Sequence, residues 1–255
     1  MSKSCFLTGW LLLLCIGAWG QQPSDTLEQD RSTQVRASQF IVPATLLGVG
    51  FAGVWTPPLV QAKGWVREQV AYDRRGRSLL RIDDVTQYVP IAMDLGLGFA
   101  GVRARHRLRD RMLVTATSYA VMTLFVNSIK YSVCEPRPDT GAWDAFPSGH
   151  TAKAMTAAEI VRVEYGPWWG LGAYALGLGT AYLRLYNDRH WVNDVICGTG
   201  IGILSARIGY WLLPVESRLL DRWSAGHADG SPAMAAVPVC DPITRSVGLS
   251  LSVVF

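Results

Sequence analysis

Charge is scarce in this chain. Only 17 % of its 255 residues are Asp, Glu, Lys or Arg, against about 25 % in an average soluble protein, while 49 % are apolar. The net charge of +4 is small and scattered, and aromatic residues do not interleave with a basic stripe, which sets nucleic-acid binding aside. Histidine is scarcer still. Of the four, His106 sits in an arginine cluster and His227 in a tail segment, neither at metal-ligand spacing, so neither a metal site nor a cofactor is read. Loss of a leader carrying Cys5 and Cys15 would leave Cys134, Cys197 and Cys240, an odd number that excludes full pairing within one chain. Cys134 and Cys197 either pair or stay as two small buried thiols. A mean hydropathy of +0.17 is modest for a chain built of membrane spans. Membrane-associated and exported helical proteins both fit.

What is present is organised along the chain. Lys3, the apolar run Phe6 to Gly17 and the small residues of Ala18-Trp19-Gly20 predict a signal peptide over 1–20, with an uncleaved anchor as the alternative. A polar leader follows over 21–36. Ala37 to Ala62 holds no charge and is apolar from Phe40 to Trp55, close to the length that crosses a bilayer. Gly64 to Asp84 reads as an amphipathic connector, helical around Trp65 to Arg75. Val85 to Val102 is apolar but for Asp94, either a poor span or a buried core helix.

Arg103 to Arg111 holds five arginines, and Met112 to Ile129 then runs without charge up to Lys130. Lys153, Glu159, Arg162 and Glu164 predict a half-exposed helix over Thr151 to Tyr165. Tyr165 to Leu183 is uncharged, with Trp168-Trp169 at its start like an interfacial anchor. Val195 to Val215 is apolar except for Arg207. Five or six helices whose connecting loops carry the polar motifs predict an all-α bundle over 37–215. The remainder, 216–255, reads as a linker and a short C-terminal strand or loose tail, since Val247, Leu249, Leu251 and Val253 alternate with small polar residues.

Topology is left open by these elements. An arginine cluster on the cytoplasmic side would carry Lys130 outward along Met112 to Ile129. Counted back through two spans, the leader then lies inside, whereas a cleaved signal would leave it outside. Either the signal is an anchor, or some apolar stretches only pack in a core, or the whole chain is periplasmic.

Three polar blocks interrupt the apolar pattern within 65 residues: Lys130 to Pro138, Pro147 to His150, and Arg184 to Asp194. Six residues separate Lys130 from Arg137-Pro138; His190 lies six residues after Arg184 and four before Asp194. Arg137 and Arg184 can each offer a planar fork and Lys130 a point charge, the kind of fixed positive donor that phosphoryl transfer uses, and Pro136 and Pro138 restrict the backbone around Arg137. Ser148 is an expected N-cap, and Gly149 lets an anion approach the amides behind it. Asp194, one helical turn past His190, is placed to hold one tautomer of the imidazole. Asp144, Asp188 and Arg189 read as loop charges, and Glu135 and Asp139 as solvated loop acids.

In the form K-x6-RP, PSGH and SR-x5-H-x3-D, the blocks resemble the signature of the phosphatidic acid phosphatase type 2 and vanadium haloperoxidase superfamily. The resemblance covers roughly Arg111 to Pro214, and it departs at Leu183, where the pattern has serine. It implies a helical bundle with the active site in the loops at one end. His190 would be the nucleophile, His150 the general acid and Asp194 the partner of His190, while Lys130, Arg137, Ser148, Gly149 and Arg184 would bind phosphate. The implied activity is a metal-independent phosphatase acting through a phosphohistidine. Apolar helices and Trp168-Trp169 favour a phosphorylated lipid or isoprenoid as partner, in the membrane of a bacterial-type cell envelope, with the site facing the periplasm. A soluble periplasmic acid phosphatase, a vanadium haloperoxidase and a non-catalytic envelope scaffold are the alternatives.

Overall fold

A computed structural model of the chain describes residues 31–74, 82–228, 233–241 and 246–254. The expected signal peptide and most of the polar leader lie outside the described residues. Among those described, eight helices follow in order: α1 (Ser38–Trp55), α2 (Pro57–Arg74), α3 (Asp83–Thr86), α4 (Val89–Phe99), α5 (Leu108–Val133), α6 (Gly149–Tyr165), α7 (Pro167–Tyr186) and α8 (Val192–Ala228). The helices up to Pro214 form one compact unit, an all-α bundle.

The residues from Val215 fall in a second unit. It contains the end of α8 and an antiparallel hairpin, β1 (Ala233–Asp241) and β2 (Ser246–Val254), in register from Ala233 opposite Val254 to Asp241 opposite Ser246. The sequence predicts a linker and a short strand or loose tail here. The helix instead runs through Pro214, and a second strand replaces much of the linker. Pro238 lies within β1, which a two-stranded sheet tolerates because each strand has an edge that needs no donor.

The largest departure concerns α6. Its charges predict a half-exposed helix, yet it is the centre of the bundle, with Ala152, Met155, Ala158, Ile160 and Val161 fully buried. Its carboxylates are paired rather than solvated. Glu159 accepts from Arg162 at 2.7 and 2.8 Å, from Tyr174 at 2.5 Å and from Arg207 at 2.5 Å. Glu164 accepts from the Tyr210 hydroxyl at 2.7 Å and from the His106 amide at 2.9 Å. Buried carboxylates are tolerable only when paired in this way.

Helix ends follow local chemistry. Cys134 closes α5 in the left-handed region (φ 50°), and Pro136 just beyond it cannot continue the helix. Gly166 alone separates α6 from α7, at φ 92° and ψ −179°, a conformation open to glycine and costly for other residues. α8 lies so close to α6 that a Cβ on Gly202 would stand 2.6 Å from the Ala152 carbonyl oxygen. That contact sets the start of α8 beside the start of α6, where the second and third polar blocks are.

α1, α5 and the stretch Val192–Ser224 of α8 are long and apolar enough to cross a membrane. Only 17 % of the apolar window of α1 and 22 % of that of α5 is buried, so apolar side chains such as Leu124 face outward, as they do in lipid. The chain is therefore of membrane type. α4 is too short to span; its Asp94 is buried against Arg111 at 2.7 Å and its Met93 and Leu97 pack on the core, while Val85 and Phe99 stay exposed. Trp168 is 83 % exposed at the start of α7, about 24 Å along the helix from Arg184 at 1.5 Å per residue. The tryptophan pair thus lies at the end of the bundle away from Arg184, and cannot argue for a substrate beside the site.

Candidate active site

The three polar blocks converge at one end of the bundle. Lys130 ends α5, Arg137 sits in the loop after it, Ser148 to His150 open α6, Arg184 ends α7, and His190 and Asp194 flank the start of α8. The loop between α5 and α6 is pinned by Phe146, fully buried and edge-on to Phe51 with ring centroids 5.0 Å apart. The Ser148 amide donates to the Asp194 carbonyl at 3.0 Å, tying the second block to the third.

His190 and Asp194 are both buried, and His190 Nδ1 lies 3.2 Å from Asp194 Oδ2. The Trp191 amide donates to the same carboxylate oxygen at 2.8 Å. Burial lowers the His190 pKa well below the usual imidazole range, and the positive charges of Arg184, Lys130 and Arg137 lower it further. The ring is therefore neutral near pH 7, with Nδ1 engaged by Asp194.

The cations are held by carboxylates and carbonyls of the loops. Arg137 reaches Asp144 through Nε at 2.6 Å and Nη2 at 2.8 Å. Lys130 Nζ donates to the Asp144 backbone carbonyl. Arg184 pairs with Asp83, whose other oxygen accepts from Asn187 Nδ2 at 3.1 Å. The Nε of Arg184 is buried with no partner among the described residues, a donor available to an anion. His150 Nε2 lies 3.0 Å from Asp84 Oδ1. Burial lowers the His150 pKa and Arg184 lowers it further, with Asp84 opposing both. At the head of α6, Ser148 takes the N-cap position without a side-chain cap, so the first amides of the helix keep their donors.

Arg137, His150 and Arg184 line one cavity of about 380 Å³, together with Asp83, Asp84, Asn187 and Arg189. Lys130, Ser148, Gly149, His190 and Asp194 do not line it. His190 is 4 % exposed.

Four lining residues were not legible as site residues. Arg189, read as a loop charge, lines the cavity and pairs with Asp139 at 3.0 Å. Asn187 carried no signal. Asp83 and Asp84 close a charged connector, and only the fold carries that connector to the site. Asp144, also read as a loop charge, is the counter-ion of Arg137, and Glu135 is buried rather than solvated. Sequence spacing held no metal constellation, yet the fold brings ligand-type atoms of Asp83, Asp84 and His150 within 4.8 Å of one another. Asp83 is occupied by Arg184 and Asn187, and Asp84 by His150. Cys134 and Cys197 are both free, so they do not pair.

Residues 111–218 match the sequence profile of the PAP2 superfamily. Over this stretch the chain is similar to the PAP2 superfamily. A 136-residue segment is 40 % identical to the lipid A 1-phosphatase of Porphyromonas gingivalis, covering 52 % of this chain and 31 % of that relative. The chain thus spans about a third of the length of the curated relative it matches. Among solved structures, the transmembrane PAP2 type phosphatidylglycerolphosphate phosphatase of Bacillus subtilis is 17 % identical with a TM-score of 0.50, over 71 % of this chain and 98 % of that one. That likeness shows the PAP2 helical fold. Aquifex aeolicus LpxE is 22 % identical with a TM-score of 0.44, over 56 % of this chain and 92 % of that one. None of these comparisons favours a haloperoxidase or an idle scaffold.

Proposed function

We propose that this protein belongs to the PAP2 superfamily and is a metal-independent phosphatase that releases phosphate from a phosphorylated lipid or isoprenoid through a phosphohistidine. The observation that carries the reading is the neutral, Asp194-bound imidazole of His190, buried among the charges of Lys130, Arg137 and Arg184. A phosphate drawn into the cavity meets Arg137, Arg184 and the free amides at the head of α6, which neutralise its oxygens. His190 attacks phosphorus through Nε2 while Asp194 accepts a hydrogen bond from Nδ1–H, which keeps its proton, and so stabilises the cation that forms. The bond from phosphorus to the leaving oxygen breaks, and His150 gives that oxygen its proton. His150, now neutral, takes a proton from water, whose oxygen attacks the phosphohistidine and releases inorganic phosphate.

The substrate class follows from the outward apolar faces of α1 and α5, which put the site at a membrane surface where phosphorylated lipids present their headgroups. Within that class, the likeness to a lipid A 1-phosphatase makes a phosphate at position 1 of a lipid A-type glycolipid the first candidate. The arginine cluster before α5 lies at the opposite end of that helix from Lys130. With those arginines on the cytoplasmic side, the site faces the periplasm.

The experiment is phosphate release by the purified full chain in detergent, across a lipid A-type 1-phosphate, phosphatidic acid, an isoprenoid diphosphate and p-nitrophenyl phosphate, each with and without EDTA. Turnover of at least one lipid that survives EDTA, and an acid-labile phosphoenzyme lost in His190→Ala, are expected. No turnover of any lipid, or loss in EDTA restored by a divalent cation, would overturn the reading; the second result would point to Asp83, Asp84 and His150.

A further inference from the structure

We infer that Lys63 and Arg67, on helix α2 and outside the PAP2-matched residues, are positioning residues that clamp the loop carrying Arg137 to the loop carrying His190. They stand four residues apart, on one face of α2. Lys63 Nζ pairs with Glu135, two residues before Arg137, and the two side chains are 11 % and 4 % exposed. Arg67 forks onto both oxygens of Asp188, two residues before His190, at 2.8 and 2.9 Å. Its Nη2 also donates to the Pro138 carbonyl at 2.8 Å, so one guanidinium touches both loops.

Trp191 sits between them. Lys63 Nζ lies 5.1 Å and Arg67 Cζ 5.3 Å from its ring centroid, within cation–π range. The same indole donates to the Pro136 carbonyl at 2.9 Å, and the Trp191 amide holds the Asp194 carboxylate that orients His190. A second line runs from Glu135 to Asn193 Nδ2 at 3.0 Å, beside Asp194 in the first turn of α8.

The contacts have a direction. Glu135 and Asp188 are buried carboxylates that need counter-charges, and α2 supplies both. Neither Lys63 nor Arg67 lines the 380 Å³ cavity; with His190 and Trp191 they line a separate pocket of about 10 Å³, which is too small to admit a phosphate. They set the distance between the first block, which would hold the phosphate, and the third, which would attack it. A misplacement of about 1 Å at such a distance can cost about 100-fold in rate.

This inference rests on the proposed phosphatase reading, and its test separates the two. Lys63→Met, Arg67→Met, the double variant and Arg67→Lys are compared as full chains in detergent micelles. The readouts are kcat and KM per folded molecule, and amide exchange over 134–141 and 187–191. The double variant should lose roughly 10- to 100-fold in kcat with KM changed less than about threefold. Both loops should exchange faster, and Arg67→Lys should fall between wild type and Arg67→Met. Wild-type kcat and exchange in the double variant would overturn the clamp. So would a rise in KM at constant kcat, which marks a substrate contact, or a loss wholly explained by the unfolded fraction. If the double variant does not fold, Arg67→Lys decides: unchanged kcat and exchange there overturn the clamp. If wild type turns over no substrate, the phosphatase reading has failed, and the exchange rates alone still test whether α2 holds the two loops.

Discussion

Arg137 and Asp144 meet through two hydrogen bonds, Nε to Oδ1 at 2.6 Å and Nη2 to Oδ2 at 2.8 Å. Burial raises the pKa of the carboxyl, but the Arg137 fork and then Lys130 outweigh it, and the net shift is downward. Asp144 is thus charged at neutral pH and fixes the plane of a guanidinium whose remaining donors line the cavity.

Arg137→Lys keeps the charge and loses the fork, both toward Asp144 and toward a phosphate. The expected loss in kcat/KM corresponds to roughly 2–4 kcal/mol of transition-state stabilisation, the range for removing one preorganised donor. Steady-state kinetics on any turned-over substrate measures it. Near-wild-type kcat/KM would remove Arg137 from the phosphate site.

His150 separates leaving groups. His150→Ala should reduce hydrolysis of an alkyl phosphate far more than that of p-nitrophenyl phosphate, whose leaving group needs little protonation. Equal losses on both would count against His150 as the acid.

The pH dependence has a definite sign. The acid role needs His150 protonated, and its pKa is lowered by burial and by Arg184, so kcat/KM should fall as pH rises through a value below the usual imidazole range. Asp84 opposes that shift at 3.0 Å. Asp84→Asn removes the opposition and should move the alkaline limb to still lower pH. A profile of kcat/KM against pH that does not move, or moves upward, would show that Asp84 does not act on His150.

Stability has its own test at the centre of the bundle. Arg207→Met removes one of three partners of the buried Glu159. With Arg162 and Tyr174 still bonded, the expected cost is about 1–3 kcal/mol. Thermal unfolding in detergent should show a lower Tm, while kcat per folded molecule stays unchanged. An unchanged Tm would mean that Glu159 is satisfied without Arg207.

The sequence by itself determined the helical class and the order of the apolar segments, because period and hydropathy are properties of neighbouring residues. It also determined which residues to watch. Lys130, Arg137, Ser148, Gly149, His150, Arg184, His190 and Asp194 stand at fixed spacings in three short blocks, and such spacing is visible without a fold. What it could not determine was each charge's partner. Glu159 and Glu164 look like surface residues until Arg207, Tyr174 and Tyr210 arrive from other helices and His106 from the loop before α5. Asp83, Asp84, Lys63 and Arg67 precede the first block by tens of residues, and no local pattern connects them to it. Only the tertiary structure decided that they meet the site. The physical reason is that a carboxylate's cost of burial and a cation's effect on an imidazole depend on distances across the bundle. Those distances are set by close helix packing such as that at Gly202, and sequence separation does not encode them.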